Sequence, residues 1–336
     1  MKYLFTLSVT ILLTACGGSS SQQEPIVTPP PISSSIINKS ASFTYTLTTD
    51  VKYGEGLTHS DWNAPEPTSM DLLLDIYEPD NDFQSRPAVV FIHGGGFTGG
   101  SKSAASAFTM MSYFAERGFV GFSINYRVLG DYGTIPDEVN LLVGTLPDVS
   151  DYQRDQVRAM YPAGRDAKAA IRWLYANADT YGVDTNSISV IGGSAGSYIA
   201  LGLGVTEPQD YRDELSITED STLSSTNLEQ SSMVHTVIDH WGGTGLVDII
   251  NLTYEVNRWD STDAPISIIH GTDDPTVPFS EAIAIRDQYE LTGVPYAYYP
   301  IEGGGHGIWG VTVDGIGLTE LALNFIVDSQ GLTIGD

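Results

Sequence analysis

Ser187-Ile188-Ser189-Val190-Ile191-Gly192-Gly193-Ser194-Ala195-Gly196 decides the fold. Residues 188–191 form a short, largely apolar run rich in β-branched side chains, the pattern of a strand inside a sheet. The run ends in Gly192-Gly193-Ser194-Ala195-Gly196, where small residues flank a serine in the pattern G-x-S-x-G. That pattern puts the serine on a tight turn between a strand and a helix, with its hydroxyl exposed. Glycine recurs because a backbone without a side chain lets the turn close. Ser194 is therefore a candidate nucleophile at the carboxyl end of a strand. A Gly/Ser loop without a role would leave the strand, turn and helix around it unexplained.

Outward from this stretch the chain alternates strands and helices. Residues 43–47 alternate like an edge strand, and 71–77 read as another. Residues 88–92 are a continuous apolar run ending at His93, and 119–126 are the next strand. Beyond Ser194, strands are expected at 234–238, 266–269 and 296–299. Helices are expected at 103–117, stopped by Gly118, at 166–177 with an amphipathic pattern, at 280–291 and at 318–327. Such alternation implies an α/β fold: a mostly parallel central sheet with helices on both faces. Ligands of such sheets bind at the carboxyl ends of the strands. His93, Ser194, Asp274 and His306 each follow a strand, so all four are expected on that edge.

Two stretches break the alternation. Residues 129–160 are acidic and read as irregular, and 206–232 are polar and rich in Ser and Thr. Long connections in compact domains are often lids or binding loops. The first follows a strand end near the candidate site, so it either shapes the pocket or decorates the surface. The second reads as surface decoration.

A nucleophilic serine needs a base for its proton, a group that orients the base, and donors for an oxyanion. Of the six histidines (59, 93, 235, 240, 270 and 306), only His306 follows both Ser194 and the Asp273-Asp274 pair. It lies in Gly303-Gly304-Gly305-His306-Gly307, after the last strand. His240 and His270 close strands and are expected to be structural. The oxyanion donors should be the N–H of Ala195 and one or two from Gly94-Gly95-Gly96, since only a bare backbone can come close to the developing charge. That glycine loop is no phosphate cradle, because it lacks the Lys-Ser/Thr ending of a Walker motif and Gly99-Gly100-Ser101-Lys102 has the wrong order.

These residues carry a resemblance. The order Ser, Asp, His, with His93-Gly94-Gly95-Gly96-Phe97 upstream, resembles carboxylesterases of the α/β-hydrolase fold with an H-G-G-G-F oxyanion loop. The chain is similar to the hormone-sensitive-lipase-like and feruloyl-esterase-like branches. Leu74-Asp75-Ile76-Tyr77-Glu78-Pro79, Asn125-Tyr126-Arg127, 166–174 and Tyr181-Gly182-Val183-Asp184 extend the similarity over roughly 70–328. The resemblance implies a serine carboxylic ester hydrolase that needs no cofactor or metal, with Ser194 as nucleophile and His306 as base. His270-Gly271-Thr272-Asp273-Asp274-Pro275-Thr276-Val277-Pro278 resembles H-G-x-x-D-x-x-V-P, in which the acid is the fourth residue after the histidine. It therefore implies Asp274, not Asp273. It also implies oxyanion donors at Gly95, Gly96 and Ala195. Two departures blur the subfamily: Ser197 stands where glycine is usual, and Gly193, not Asp or Glu, precedes the nucleophile.

Composition bounds the partners. In 336 residues, 42 Asp and Glu face 15 Lys and Arg, a net charge of −27. Such a field repels nucleic acid and anionic lipid headgroups. The expected partner is a small or oligomeric ester from outside the cell: short-chain, acetyl, feruloyl or related. An amidase or peptidase using the same residues, and an inactive binding module on the same fold, are the rival readings. The single cysteine, Cys16, excludes an intramolecular disulfide. It closes a short apolar run as Leu13-Thr14-Ala15-Cys16, which resembles the lipobox of bacterial lipoproteins. Residues 1–15 are thus expected to be a signal peptide, Cys16 a lipidation site, 16–41 a Ser/Pro-rich tether and 42–336 the catalytic domain. This organisation implies lipid anchoring in the cell envelope, with Gly17 pointing to a bacterial outer membrane.

Overall fold

The computed structural model describes residues 37–335. The expected signal peptide, Cys16 and the expected tether up to residue 36 lie outside the described residues. Eight strands form the main sheet: β1 (Tyr45–Thr58), β2 (Thr68–Pro79), β3 (Arg86–Ile92), β4 (Val120–Ile124), β5 (Val183–Gly193), β6 (Thr236–His240), β7 (Ile266–Gly271) and β8 (Tyr296–Ile301). Their spatial order is β1-β2-β4-β3-β5-β6-β7-β8. β1 and β2 are antiparallel to their neighbours, and from β4 to β8 the pairing is parallel. With its covering helices this is the α/β-hydrolase fold.

Period-two alternation explains the two cores. Along β3, Ala88, Val90 and Ile92 face one side, and Val89 and Phe91 face the other. The first set packs with helices α3 (Asp151–Ala176), α4 (Ala195–Val205), α5 (Gly245–Tyr254) and α6 (Ser280–Thr292). The second packs with α1 (Ala105–Ala115) and α7 (Leu318–Gln330). Each fully buried Val, Ile or Phe here contributes about 1.5–3 kcal/mol relative to exposure. The register aligns the strand ends: Ile92 sits beside Gly192, Gly193 beside His240 and His240 beside Ile269. The loops after these four strands therefore open on one edge, where the candidate site lies. Among the described residues no helix is long and apolar enough to cross a membrane.

The folded domain begins earlier than residue 42. Ile37 is fully buried and pairs with Ile334, and Asn38 N–H donates to the Arg117 carbonyl at 3.1 Å. Residues 37–41 thus belong to the domain and not to a tether.

The first insertion is not irregular. It folds as a 3₁₀ turn (Leu129–Asp131), α2 (Asp137–Thr145) and the first turns of α3, which runs for 26 residues through Pro162. Ser150 caps α3 by accepting the Gln153 N–H at 3.3 Å, and Gln153 Oε1 accepts the Ser150 N–H at 2.9 Å. This reciprocal cap is written in the sequence as Ser-x-x-Gln. In α2, Val139 and Val143, four apart, supply the buried stripe.

The second insertion is not mere decoration either. It covers the polar face of α3, so that Arg165, Lys168 and Arg172 are all buried. Lys168 Nζ donates to the Thr206 carbonyl at 3.3 Å and also to the Glu207 carbonyl, and Arg172 Nε donates to the Thr226 carbonyl at 2.8 Å. A buried Arg127–Asp166 pair ties α3 to the loop after β4. Nε to Oδ2 is 2.9 Å and Nη2 to Oδ1 is 2.7 Å, while Nη1 donates to the Leu57 carbonyl at the end of β1. Such two-bond pairing fixes orientation as well as distance.

Candidate active site

β5 ends at Gly193 and α4 starts at Ala195, which leaves Ser194 alone on the turn. Its backbone has φ 56° and ψ −125°, a left-handed conformation that costs a non-glycine residue about 1–3 kcal/mol. The flanking glycines make the turn possible. A Cβ on Gly192 would overlap the Gly196 carbonyl, and one on Gly196 would overlap the Ile92 carbonyl oxygen. The Ser194 N–H is held by the His240 carbonyl at 2.9 Å.

The Ser194 hydroxyl meets His306, whose Nε2 lies 2.9 Å from Oγ. On the far side of the ring, Nδ1 lies 2.7 Å from Asp274 Oδ2. A carboxylate at Nδ1 keeps the proton on that nitrogen, so Nε2 faces the hydroxyl as an acceptor. Asp274 is buried, and its Oδ1 accepts the N–H groups of Thr276 and Val277 at 2.8 and 3.0 Å. Burial alone would push this carboxyl up. The hydrogen bonds from His306, Thr276 and Val277 outweigh it and hold the carboxyl below the usual carboxylate range. Asp273 points away and is exposed, and only its backbone N–H is used, donating to the Gly304 carbonyl at 2.9 Å. That bond docks the Asp274 loop onto the loop carrying His306.

His270 stands behind the acid. Its Nε2 lies 2.9 Å from the Val277 carbonyl and 3.5 Å from Asp274 Oδ2. On the neighbouring strand Asp239 is fully buried, and burial holds its carboxyl above the ordinary range. His240, at the end of β6, is buried against Trp241 and Trp309, and burial drives its imidazole down to about 3. It therefore stays neutral and serves as packing.

Gly94, Gly95 and Gly96 curl over the serine. A Cβ on Gly94 would lie 3.3 Å from the Ser194 Cβ, and Gly95 and Gly96 have φ of 124° and 60°. Among the described residues, the N–H groups of Gly95, Gly96 and Ala195 donate to no acceptor. Unfilled donors beside a hydroxyl are what an oxyanion requires. His93 braces this loop instead of facing the serine: it stacks on Tyr126 at 4.3 Å, and the Tyr126 hydroxyl donates to its carbonyl at 2.8 Å.

Three contributors escaped the sequence reading. Gln156, in the inserted part of α3, donates from Nε2 to the Gly96 carbonyl at 2.9 Å, so the first insertion reaches the glycine loop. Trp241 sets its ring 6.3 Å from His306. Trp309, three residues beyond His306, lies over Gly193, where an added Cβ would come within 2.6 Å of the indole. That contact explains why Gly193 and not a larger residue precedes Ser194. Only the run of apolar letters after His306, Ile308-Trp309, could have pointed to it. Among the described residues, no three His, Cys, Asp or Glu side chains gather as a metal site.

Known proteins resemble this arrangement in sequence and shape. Over 261 residues the chain is 24% identical to esterase LipC of Mycobacterium tuberculosis, which covers 70% of this chain and 56% of LipC. The chain thus spans little more than half the length of that curated relative. The solved thermophilic esterase Est2 of the planctomycete Thermogutta terrifontis, with propionate bound, aligns with a TM-score of 0.57 and 27% identity, covering 80% of this chain and 93% of Est2. A truncated carbohydrate esterase from gut microbiota shares the fold, with a TM-score of 0.60 and 20% identity over 88% of this chain and 99% of that one. The BD-FAE family model matches residues 74–140 and 149–259, more than half of the sequence. The chain belongs to the BD-FAE family.

Proposed function

We propose that the protein is a carboxylesterase that cleaves short-acyl esters through an acyl-enzyme on Ser194. The observation that carries this reading is the unbroken line from Ser194 Oγ through His306 to Asp274, with contacts of 2.9 and 2.7 Å. In this reading His306 Nε2 takes the hydroxyl proton as Oγ attacks the ester carbon. Asp274 stabilises the imidazolium that forms. The N–H groups of Gly95, Gly96 and Ala195 receive the oxyanion, each donor being worth about 3 kcal/mol of transition-state stabilisation. The imidazolium then protonates the leaving alkoxide, and a water activated by the same nitrogen releases the acid. No step calls on a cofactor.

Est2, solved with propionate bound, supports a short acyl group, and the H-G-G-G-F resemblance supports acetyl and feruloyl esters. The N-terminal Leu-Thr-Ala-Cys supports a location on the cell envelope, with Cys16 acylated and esters met outside the cytoplasm. The test is turnover of p-nitrophenyl acetate and of the matching anilide by the parent and by Ser194→Ala. Ester turnover that vanishes in the variant is expected. A parent that cleaves only the anilide, or neither compound, would defeat the proposal.

A further inference from the structure

The glycine loop over Ser194 contains a strained turn. The Gly95 carbonyl accepts the Thr98 N–H at 3.0 Å, which closes a β-turn with Gly96 and Phe97 at its centre. Both central residues have φ of 60°, the sign pattern of a type I′ turn. Phenylalanine is out of place there, because a bulky side chain at positive φ is an outlier. The pair Gly-Phe suits a type II′ turn instead, which needs positive φ only at its first central residue. The two turns differ by a flip of one peptide unit, the one that joins Gly96 to Phe97.

That peptide is held from outside the loop. Gln156 Nε2 donates to the Gly96 carbonyl at 2.9 Å, and the Leu129 N–H donates to the Phe97 carbonyl at 2.7 Å. Both donors belong to the first insertion, so one segment fixes two successive carbonyls. The insertion is itself anchored on each side of Gln156. Arg154 Nη1 donates to the Val143 carbonyl at 2.7 Å, and Asp155 Oδ1 accepts Trp62 Nε1 and Arg158 Nη1, each at 2.9 Å. The Phe97 ring is buried beside Tyr126 and Tyr198. Backbone strain persists only where the surroundings over-determine it, as they do here.

The orientation of this peptide bears on the oxyanion. Successive left-handed residues point their N–H groups to one side and their carbonyls to the other, which makes a concavity for an anion. Among the described residues, the N–H groups of Gly96 and Phe97 donate to no acceptor, while the Gly96 carbonyl is taken up by Gln156. A flip to type II′ would turn that carbonyl onto the side of the free N–H groups, against the charge they are to receive.

We propose that Gln156 is a positioning residue for the oxyanion: its amide holds the Gly96–Phe97 peptide in the orientation that the turn's own sequence disfavours. The proposal rests on the ester-hydrolase reading above. Gln156→Met keeps the length and loses the donor, and Gln156→Glu puts a carboxylate against the carbonyl at pH 8. Gln156→His returns a neutral ring N–H to about the same place. Each variant is assayed on p-nitrophenyl acetate and for inhibition by a trifluoromethyl ketone, whose adduct with the serine carries the oxyanion. Gln156→Met is expected to lower kcat about tenfold, less than the loss of a whole oxyanion donor, with KM within about twofold of the parent. The ketone should bind about tenfold more weakly. Gln156→Glu should lose at least as much, and Gln156→His should recover most of the loss. Thermal melting identifies a variant that fails to fold, and Gln156→Glu carries the test if Gln156→Met is lost. A folded variant with unchanged kcat and ketone affinity overturns the proposal. So does a rise in KM alone, or a histidine variant no better than the methionine one. Absence of Ser194-dependent turnover in the parent on every ester would instead defeat the ester-hydrolase reading, so the two failures are told apart.

Discussion

At the residue scale, the site depends on which oxygen meets which nitrogen. His306 Nδ1 is 2.7 Å from Asp274, whereas the Asp273 side chain is exposed. Ser194→Ala and His306→Ala are each expected to lower kcat by roughly 10⁴-fold or more, and the double variant by little beyond that, since the residues act as one unit. Asp274→Asn should fall less far, and Asp273→Asn should stay within about threefold of the parent. Steady-state kinetics on an aryl acetate decide it, and a larger loss for Asp273→Asn than for Asp274→Asn would show that the acid is misassigned. Gly193 makes a second point at this scale. A methyl group there would come within 2.6 Å of the Trp309 ring, so the indole or the serine turn must move. Gly193→Ala is therefore expected to cost about 1–3 kcal/mol by urea unfolding and to reduce kcat, because Trp309 and His306 share a loop. An unchanged midpoint and kcat would mean that the ring yields freely.

At the element scale, the strands were the most legible part of the chain. A β-branched run such as 188–191 can bury both faces only inside a sheet, and the structure extends it to Val183–Gly193 without changing its role. The helix α3 was half legible. The pattern at 166–177 announces a helix with one polar face, which on its own reads as solvent-exposed. Tertiary covering overrode that reading, because residues 206–232 supply carbonyls to Lys168 and Arg172 and are too far along the chain for any local pattern to reveal. Acidic composition concealed α2 and the start of α3, although Ser150 and Gln153 spelled out the cap. The site was legible where chemistry demands particular letters, as at Ser194, and silent where a generic residue such as Gln156 or Trp309 acts by position. The covered lysine gives a prediction. Burial drives Lys168 down to about 7, so above that pH the folded chain has released a proton that the unfolded chain holds until the ordinary lysine range of about 10.4. Where the unfolded state binds more protons, stability rises with pH. Lys168 thus destabilises the fold below about pH 7, and this penalty fades between about pH 7 and 10. Lys168→Met should be less stable at pH 9 by about 1–3 kcal/mol, since two carbonyls lose their donor. Its deficit should shrink at pH 6. Urea unfolding at the two pH values measures the difference, and a constant deficit would contradict the linkage.

At the scale of the whole molecule, the acidic excess lies at the surface. Arg86, Lys102, Arg127, Arg165, Lys168 and Arg172 are buried, but so are Asp75, Asp166, Asp210, Asp220, Asp239, Asp263 and Asp274, so the interior takes up almost none of the net charge of −27. A domain with that surface is repelled by anionic headgroups, and electrostatics cannot hold it on a membrane. If the protein works at the cell envelope, covalent lipid has to supply the attachment. Each acyl CH₂ that enters the bilayer contributes about 0.8 kcal/mol, so two or more chains on Cys16 exceed any repulsion from the domain. The expected outcome in a Gram-negative host is that the full chain sediments with membranes and stays there in 1 M salt, since screening does not loosen a lipid anchor. Cys16→Ser should appear in the soluble fraction with an unchanged kcat on an aryl acetate. A chain starting at Ile37, which keeps the Ile37–Ile334 pairing, should be equally active. Mass spectrometry of the N-terminal peptide gives the direct reading. An unmodified Cys16, or cleavage well past it, would remove the anchor and leave the acidic domain free of the membrane.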